Sequence, residues 1–112
     1  MSGLLTGLAF FCKLGSHTKK LVLVSLTDNA GDTGRCWPNY DLIALRCEIT
    51  ERSVIDHIKA LEEEGWVTLL ERGNGRGHGS HFQINTERLW EEGEAGKVRI
   101  ATMRKIARPD LK

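Results

Sequence analysis

The chain has 112 residues, 40% of them apolar and 28% charged, with a formal net charge of +1. That is the composition of one globular domain able to bury its own core. It excludes a bilayer span, since no apolar run reaches the about 20 residues such a helix needs, and it excludes binding of nucleic acid by bulk charge alone.

The charge is unevenly placed. Residues 1–96 hold 10 Lys and Arg against 14 Asp and Glu, a balance of −4, whereas residues 97–112 hold 6 against 1, a balance of +5. Attraction to phosphate therefore has to come from local patches and from the basic tail. Cys12, Cys36 and Cys47 are an odd number of cysteines with no CxxC spacing, the pattern of reduced thiols in a cytoplasmic protein. A zinc site of Cys36, Cys47 and His57 fits no usual ligand spacing. Neither a metal nor another cofactor is expected.

Taken in order, Gly3–Cys12 is apolar, but its two internal glycines argue against a stable helix. It is expected as an extended edge strand or an arm packed on the core. A lone Lys13 follows this run instead of preceding it, so a signal peptide is not expected. Residues 1–15 are thus read as an N-terminal arm, 16–90 as the folded domain, and 91–112 as a linker and basic tail.

A helix is predicted over Lys19–Ala30, with Leu21, Val22, Leu26 and Ala30 on neighbouring turns. The run Asp28–Gly34 is rich in turn-forming residues. Pro38 biases Trp37 toward extended backbone, which predicts a short strand at Cys36–Trp37. Asn39 is a candidate N-cap for a helix over Tyr40–Cys47 that would bury Leu42, Ile43 and Leu45. Glu48-Ile49 forms a tight connection to the next helix.

That helix, Thr50–Gly65, has both ends marked. The Thr50 hydroxyl can accept from a free first-turn amide, and Glu51 complements the helix dipole. Val54, Ile58 and Leu61 recur at i, i+4 and i+7, an apolar stripe at the helical period. Gly65 supplies a left-handed exit. Glu51, Arg52, Ile55, Asp56 and Lys59 remain for the outer faces.

Trp66–Arg72 alternates as a strand with Val67 and Leu69 on one face, and Ser80–Asn85 alternates again with Phe82 and Ile84. The glycine-rich run between them predicts a hairpin with a long tip carrying Arg72, Arg76, His78 and His81. This loop matches neither the GxxxxGK[ST] nor the GxGxxG pattern and joins two strands, so it is not a nucleotide cradle. Thr86–Trp90 is read as a brief turn, Glu91–Gly96 as a polar linker and Val98–Ala107 as a basic helix.

The fold class that results is mainly α with a small β-hairpin (α+β), a winged helix-turn-helix. In that arrangement one helix enters the DNA major groove and the hairpin reaches backbone or minor groove. Arg52 is the candidate for a bidentate guanine contact, or else an ordinary ion-paired surface residue. Ile55 is placed for a thymine methyl. Asp56 would accept from a cytosine amino group or repel the backbone. Lys59 would touch phosphate or face solvent. Thr50, Glu51 and Ser53 complete the reading face, Arg72, Arg76, His78 and His81 the wing, and Asn39 and Tyr40 the start of the preceding helix. No nucleophile, base and orienter are spaced to converge, so no catalytic residue is expected.

The residues Lys19–Ala30, Cys36-Trp37-Pro38-Asn39, Ile43-Ala44, Cys47 and Thr50-Glu51-Arg52-Ser53-Val54 through Gly65 resemble the winged-helix domain of phage and prophage replication initiators of the lambda O type. The similarity covers roughly 14–89. It implies binding of double-stranded DNA at repeated origin sites, with Thr50, Arg52, Ser53, Ile55 and Asp56 toward the groove. Members of that family often carry a basic residue where Asp56 stands and a glycine near Glu48. They continue into a segment that recruits a helicase loader, so the resemblance implies either a separated domain or a protein with another task, such as local transcription regulation. The partners expected are double-stranded DNA, a second copy as homodimer, and a replication or transcription protein met by the acid-rich surface; no membrane is expected.

Overall fold

The computed structural model describes residues 3–73 and 80–107. Their order is α1 (Gly3–Phe11), α2 (His17–Asn29), β1 (Arg35–Cys36), α3 (Tyr40–Cys47), α4 (Glu51–Glu63), β2 (Val67–Glu71), β3 (His81–Ile84) and α5 (Thr86–Ala107). The three strands form one antiparallel sheet in the order β1-β3-β2.

Each central helix is set by a capping residue. The Ser16 hydroxyl accepts from the Lys19 amide at 3.2 Å, Asn39 Oδ1 from the Leu42 amide at 3.5 Å, and Thr50 Oγ1 from the Ser53 amide at 3.0 Å. Such caps satisfy amides that have no partner inside the helix. The turn between α3 and α4 passes through Glu48 in the left-handed region, φ 57°. α4 leaves through Gly65 at φ 85°, where a side chain would be strained.

Val54, Ile58 and Leu61 of α4 are buried with Val22, Leu23 and Leu26 of α2, Ile43 and Ala44 of α3, and Phe82 and Ile84 of β3. Trp66, 1% exposed, closes this core at the end of α4, with the Arg88 guanidinium 4.0 Å from its ring centre. Arg88 also donates to the Glu64 carbonyl and pairs with Glu92, so the start of α5 is fastened to the end of α4.

Three expectations are corrected. The Gly3–Cys12 segment is helical over Gly3–Phe11. Leu5, Leu8, Ala9 and Cys12 all fall on its buried side, and burial of that stripe outweighs a glycine penalty of about 1 kcal/mol per residue. Second, Thr86–Ala107 is one helix of 22 residues, where a turn, a linker and a shorter helix were expected. Its Leu89, Gly93 and Gly96 share a buried stripe against α1. A Cβ on Gly93 would lie 2.9–3.1 Å from Leu8 atoms, and one on Gly96 would overlap the Phe11 carbonyl. The glycines that looked like a linker are what lets the two helices approach. Third, Leu42 and Leu45 are exposed, Leu45 by 76%; α3 buries Ile43 and Ala44 instead.

Candidate nucleic-acid interface

With Val54, Ile58 and Leu61 directed into the core, the helical period turns Arg52, Asp56 and Lys59 outward, all exposed, and leaves Ile55 and Ser53 half-buried at the edge. Thr50 and Glu51 are exposed at the helix start. Arg52 Nε lies 3.5 Å from Asp56 Oδ1, an i, i+4 pair open to solvent. His57 is half-buried, and its Nδ1 lies 2.7 Å from the Ser53 carbonyl. A carbonyl only accepts, so that nitrogen carries the proton. Ser53 Oγ is 3.3 Å from the same nitrogen, which therefore has no lone pair with which to activate the hydroxyl.

Beside α4 stands the base of the β2–β3 hairpin. Arg72 is exposed and His81 half-buried; Arg76 and His78 lie outside the described residues. The pairing slips between Leu69 and Glu71, a bulge that bends β2 where the wing begins. The Gly73 amide donates to Ser80 Oγ at 2.7 Å. His81 Nδ1 is 3.9 Å from Glu71 Oε2. Asn39 is exposed but its side chain serves the α3 cap. Tyr40 is half-buried at this junction. Burial raises its phenol pKa, opposed by the charge of Arg72 and a hydrogen bond with Ser80. Tyr40 thus joins the start of α3 to the wing base.

One residue here escaped the sequence reading. Trp37, 55% exposed, stacks on His81 with ring centres 4.8 Å apart and planes at 20°. Its backbone amide donates to Asn29 Oδ1 at 2.9 Å. A tryptophan in a turn between a strand and a capped helix was the available signal, because a large ring there has no core position to fill.

The turn from α3 into α4, beside the start of the reading helix, is acidic. Asp41, Glu48 and Glu51 line a shallow cleft of about 470 Å³ with Ala44, Leu45 and Ile49. Arg46 on the same helix is engaged by Asp28 at 2.9 Å. At the far end of α4, Glu64 pairs with Lys19, and Glu62 and Glu63 are exposed. Among the described residues no three His, Cys, Asp or Glu side chains converge to hold a metal, and no helix is long and apolar enough to cross a membrane.

Comparison with known proteins agrees with this geometry. Residues 16–67, from the Ser16 cap to the first residue of β2, match the family model of a helix-turn-helix domain. The chain is also 33% identical over 66 residues to Protein YmfN of Escherichia coli (strain K12). That alignment takes in 59% of this chain and 14% of that protein, so the chain spans only a small part of the relative's length. No solved structure matches. Three helices closed by a three-stranded sheet whose β2 and β3 pair antiparallel make this α+β chain a winged helix-turn-helix, and its residues 16–67 are similar to the helix-turn-helix domain family.

Proposed function

We propose that the chain binds double-stranded DNA with α4 in the major groove and the β2–β3 hairpin against the neighbouring backbone, in replication initiation or local transcription regulation of a phage or mobile element. The observation that carries this reading is the division of α4. One stripe fastens it to the core, both ends are capped, and Arg52, Asp56 and Lys59 stand free of the fold. Helices of this kind present base-reading groups at fixed positions. Arg52 is assigned to a guanine edge, Ile55 to a thymine methyl, and Lys59 and Arg72 to phosphates. Thr50 and Ser53 approach the backbone near the helix start. Asn39 and Tyr40 support the flank of the groove, with Trp37 added to the wing base.

The test is selection of bound sequences from a random duplex pool, followed by anisotropy titration of the selected site against a scrambled one. A preference of about 10³-fold or more at ~100 mM salt is expected. With three to five basic contacts, log affinity should fall with log salt at a slope of roughly −3 to −4.5. Equal binding to both duplexes would refute the reading.

A second reading is favoured by one observation: the acidic cleft of Asp41, Glu48 and Glu51 suits a basic protein surface better than a phosphate backbone. A winged helix used to hold a replication or transcription protein would keep that partner after nuclease treatment, whereas one bridged by DNA would lose it.

A further inference from the structure

The C-terminal half of α5 and the cleft between α3 and α4 have matching chemistry. Past Gly96, residues 97–105 are all exposed. They continue the stripe that α1 covers: Leu89, Gly93 and Gly96 are followed by Ile100 and Met103, keeping the spacing of four, three, four and three. The first three are buried; Ile100 and Met103 are not, Met103 being 58% exposed. Around them stand Lys97, Arg99, Arg104 and Lys105, with no acidic residue among residues 97–105. Lys97 is held by Glu94 at 3.4 Å, which leaves Arg99, Arg104 and Lys105 without an ion pair among the described residues.

The cleft is the complement. Of its lining residues Ala44 is buried and Ile49 half-buried, whereas Leu45, Asp41, Glu48 and Glu51 are exposed. None of these three carboxylates has a cationic partner among the described residues. Leu45 is the most exposed of the large apolar side chains described. Apolar side chains among three negative charges fit a helix with an apolar stripe flanked by three positive ones.

The chain does not join its own two surfaces: residues 97–105 are exposed, and among the described residues none of them pairs with Asp41, Glu48 or Glu51.

We infer that the occupant of the α3–α4 cleft is the 97–105 segment of a second copy of this chain. Because donor and acceptor surfaces differ, the contact either closes as a reciprocal, isologous pair or runs on head to tail as a row. A single exposed helical segment is a small interface, so the association is weak and falls with salt.

The test is sedimentation equilibrium of the full chain without DNA, at ~50 and ~500 mM salt. Association at the lower salt, weakened about tenfold or more at the higher, is expected. An α5 variant (Arg99→Glu, Arg104→Glu, Lys105→Glu) and a cleft variant (Asp41→Lys, Glu48→Lys) should each be monomeric. Mixing the two should restore hetero-association, because the reversed charges then match. Circular dichroism of each variant confirms its fold. A wild-type chain monomeric at ~0.5 mM, self-association that survives both variants, or a mixture that stays monomeric would overturn the inference. Since no DNA is present, failure here is distinct from failure of the DNA-binding proposal.

Discussion

Arg52 and Asp56 face one another across a single turn of α4, Nε to Oδ1 3.5 Å, both on the solvent side. An exposed pair of this kind contributes about 0.3–0.5 kcal/mol, whereas a bidentate guanine contact is worth about 1–3 kcal/mol. The ion pair can therefore steer the guanidinium in the free protein without holding it back from a base. In the proposed complex, Asp56 also places a negative charge close to the phosphates. Asp56→Ala should leave stability within about 0.5 kcal/mol of the parent and tighten binding to random duplex about three- to tenfold. Arg52→Ala should instead lose about 1–3 kcal/mol of preference for the selected site. Paired titrations on selected and scrambled duplexes separate the two outcomes. An Asp56→Ala variant that weakens both duplexes alike would contradict this account.

Glu48 occupies a left-handed conformation, φ 57°, in the turn between the two central helices. A side chain there costs about 1 kcal/mol relative to glycine, partly offset by the greater freedom glycine has in the unfolded chain. Glu48→Gly should therefore raise stability by about 0.5 kcal/mol, and Glu48→Val should lower it by more than that because a β-branched residue tolerates the region least. Thermal melts of both variants decide the sign.

The seam between α1 and α5 reverses the usual rule for glycine in helices. Gly7 has open space around its would-be Cβ, so Gly7→Ala should stabilise by about 0.5–1 kcal/mol through helix propensity. At Gly96 the same change would drive a methyl into the Phe11 carbonyl. Gly96→Ala should destabilise by about 1–3 kcal/mol as the helices are pushed apart. Denaturant midpoints of the two variants should move in opposite directions.

Burial governs the cysteines. Cys36 is pushed up to about 12, chiefly by desolvation, and Cys12 is raised from the same cause first, with Glu92 adding to it. A thiol whose folded pKa lies above its unfolded value keeps its full contribution to stability below about pH 9. It then loses that contribution as pH climbs toward 12. Cys36→Ala should flatten that alkaline decline in a melting series from pH 8 to 11. At pH 8 a thiol reagent should modify the half-buried Cys47 well before the other two. Equal labelling of all three would show that the fold opens there.

What could be read in advance follows from where the decisive physics lies. α4 was legible because its signals are local: a Thr50 cap, the Val54, Ile58 and Leu61 stripe, and Gly65 at the exit are all seen in the structure. The two strands of the hairpin were legible for the same reason, with Phe82 and Ile84 on one buried face. α1 and α5 were not, because each becomes a helix through the other. The glycines that speak against helix in isolation are the contact surface when both are present. α3 showed the opposite error. Leu42 and Leu45 are apolar, so burial was expected, yet packing on α4 is made by Ile43 and Ala44. Trp37 was seen only as the residue before a proline. Its place on His81 depends on a strand that begins 44 positions further along the chain.

The pairing of the first helix with the last has a kinetic corollary. Leu5, Leu8, Ala9 and Cys12 are made early, but the surface that covers them, Leu89 through Gly96, is made about 80 residues later. During synthesis the amino-terminal apolar face must therefore wait, exposed, for its cover. Closure over so long a stretch is entropically slow, so this seam is where a nascent chain would be most open to chaperone capture or self-association.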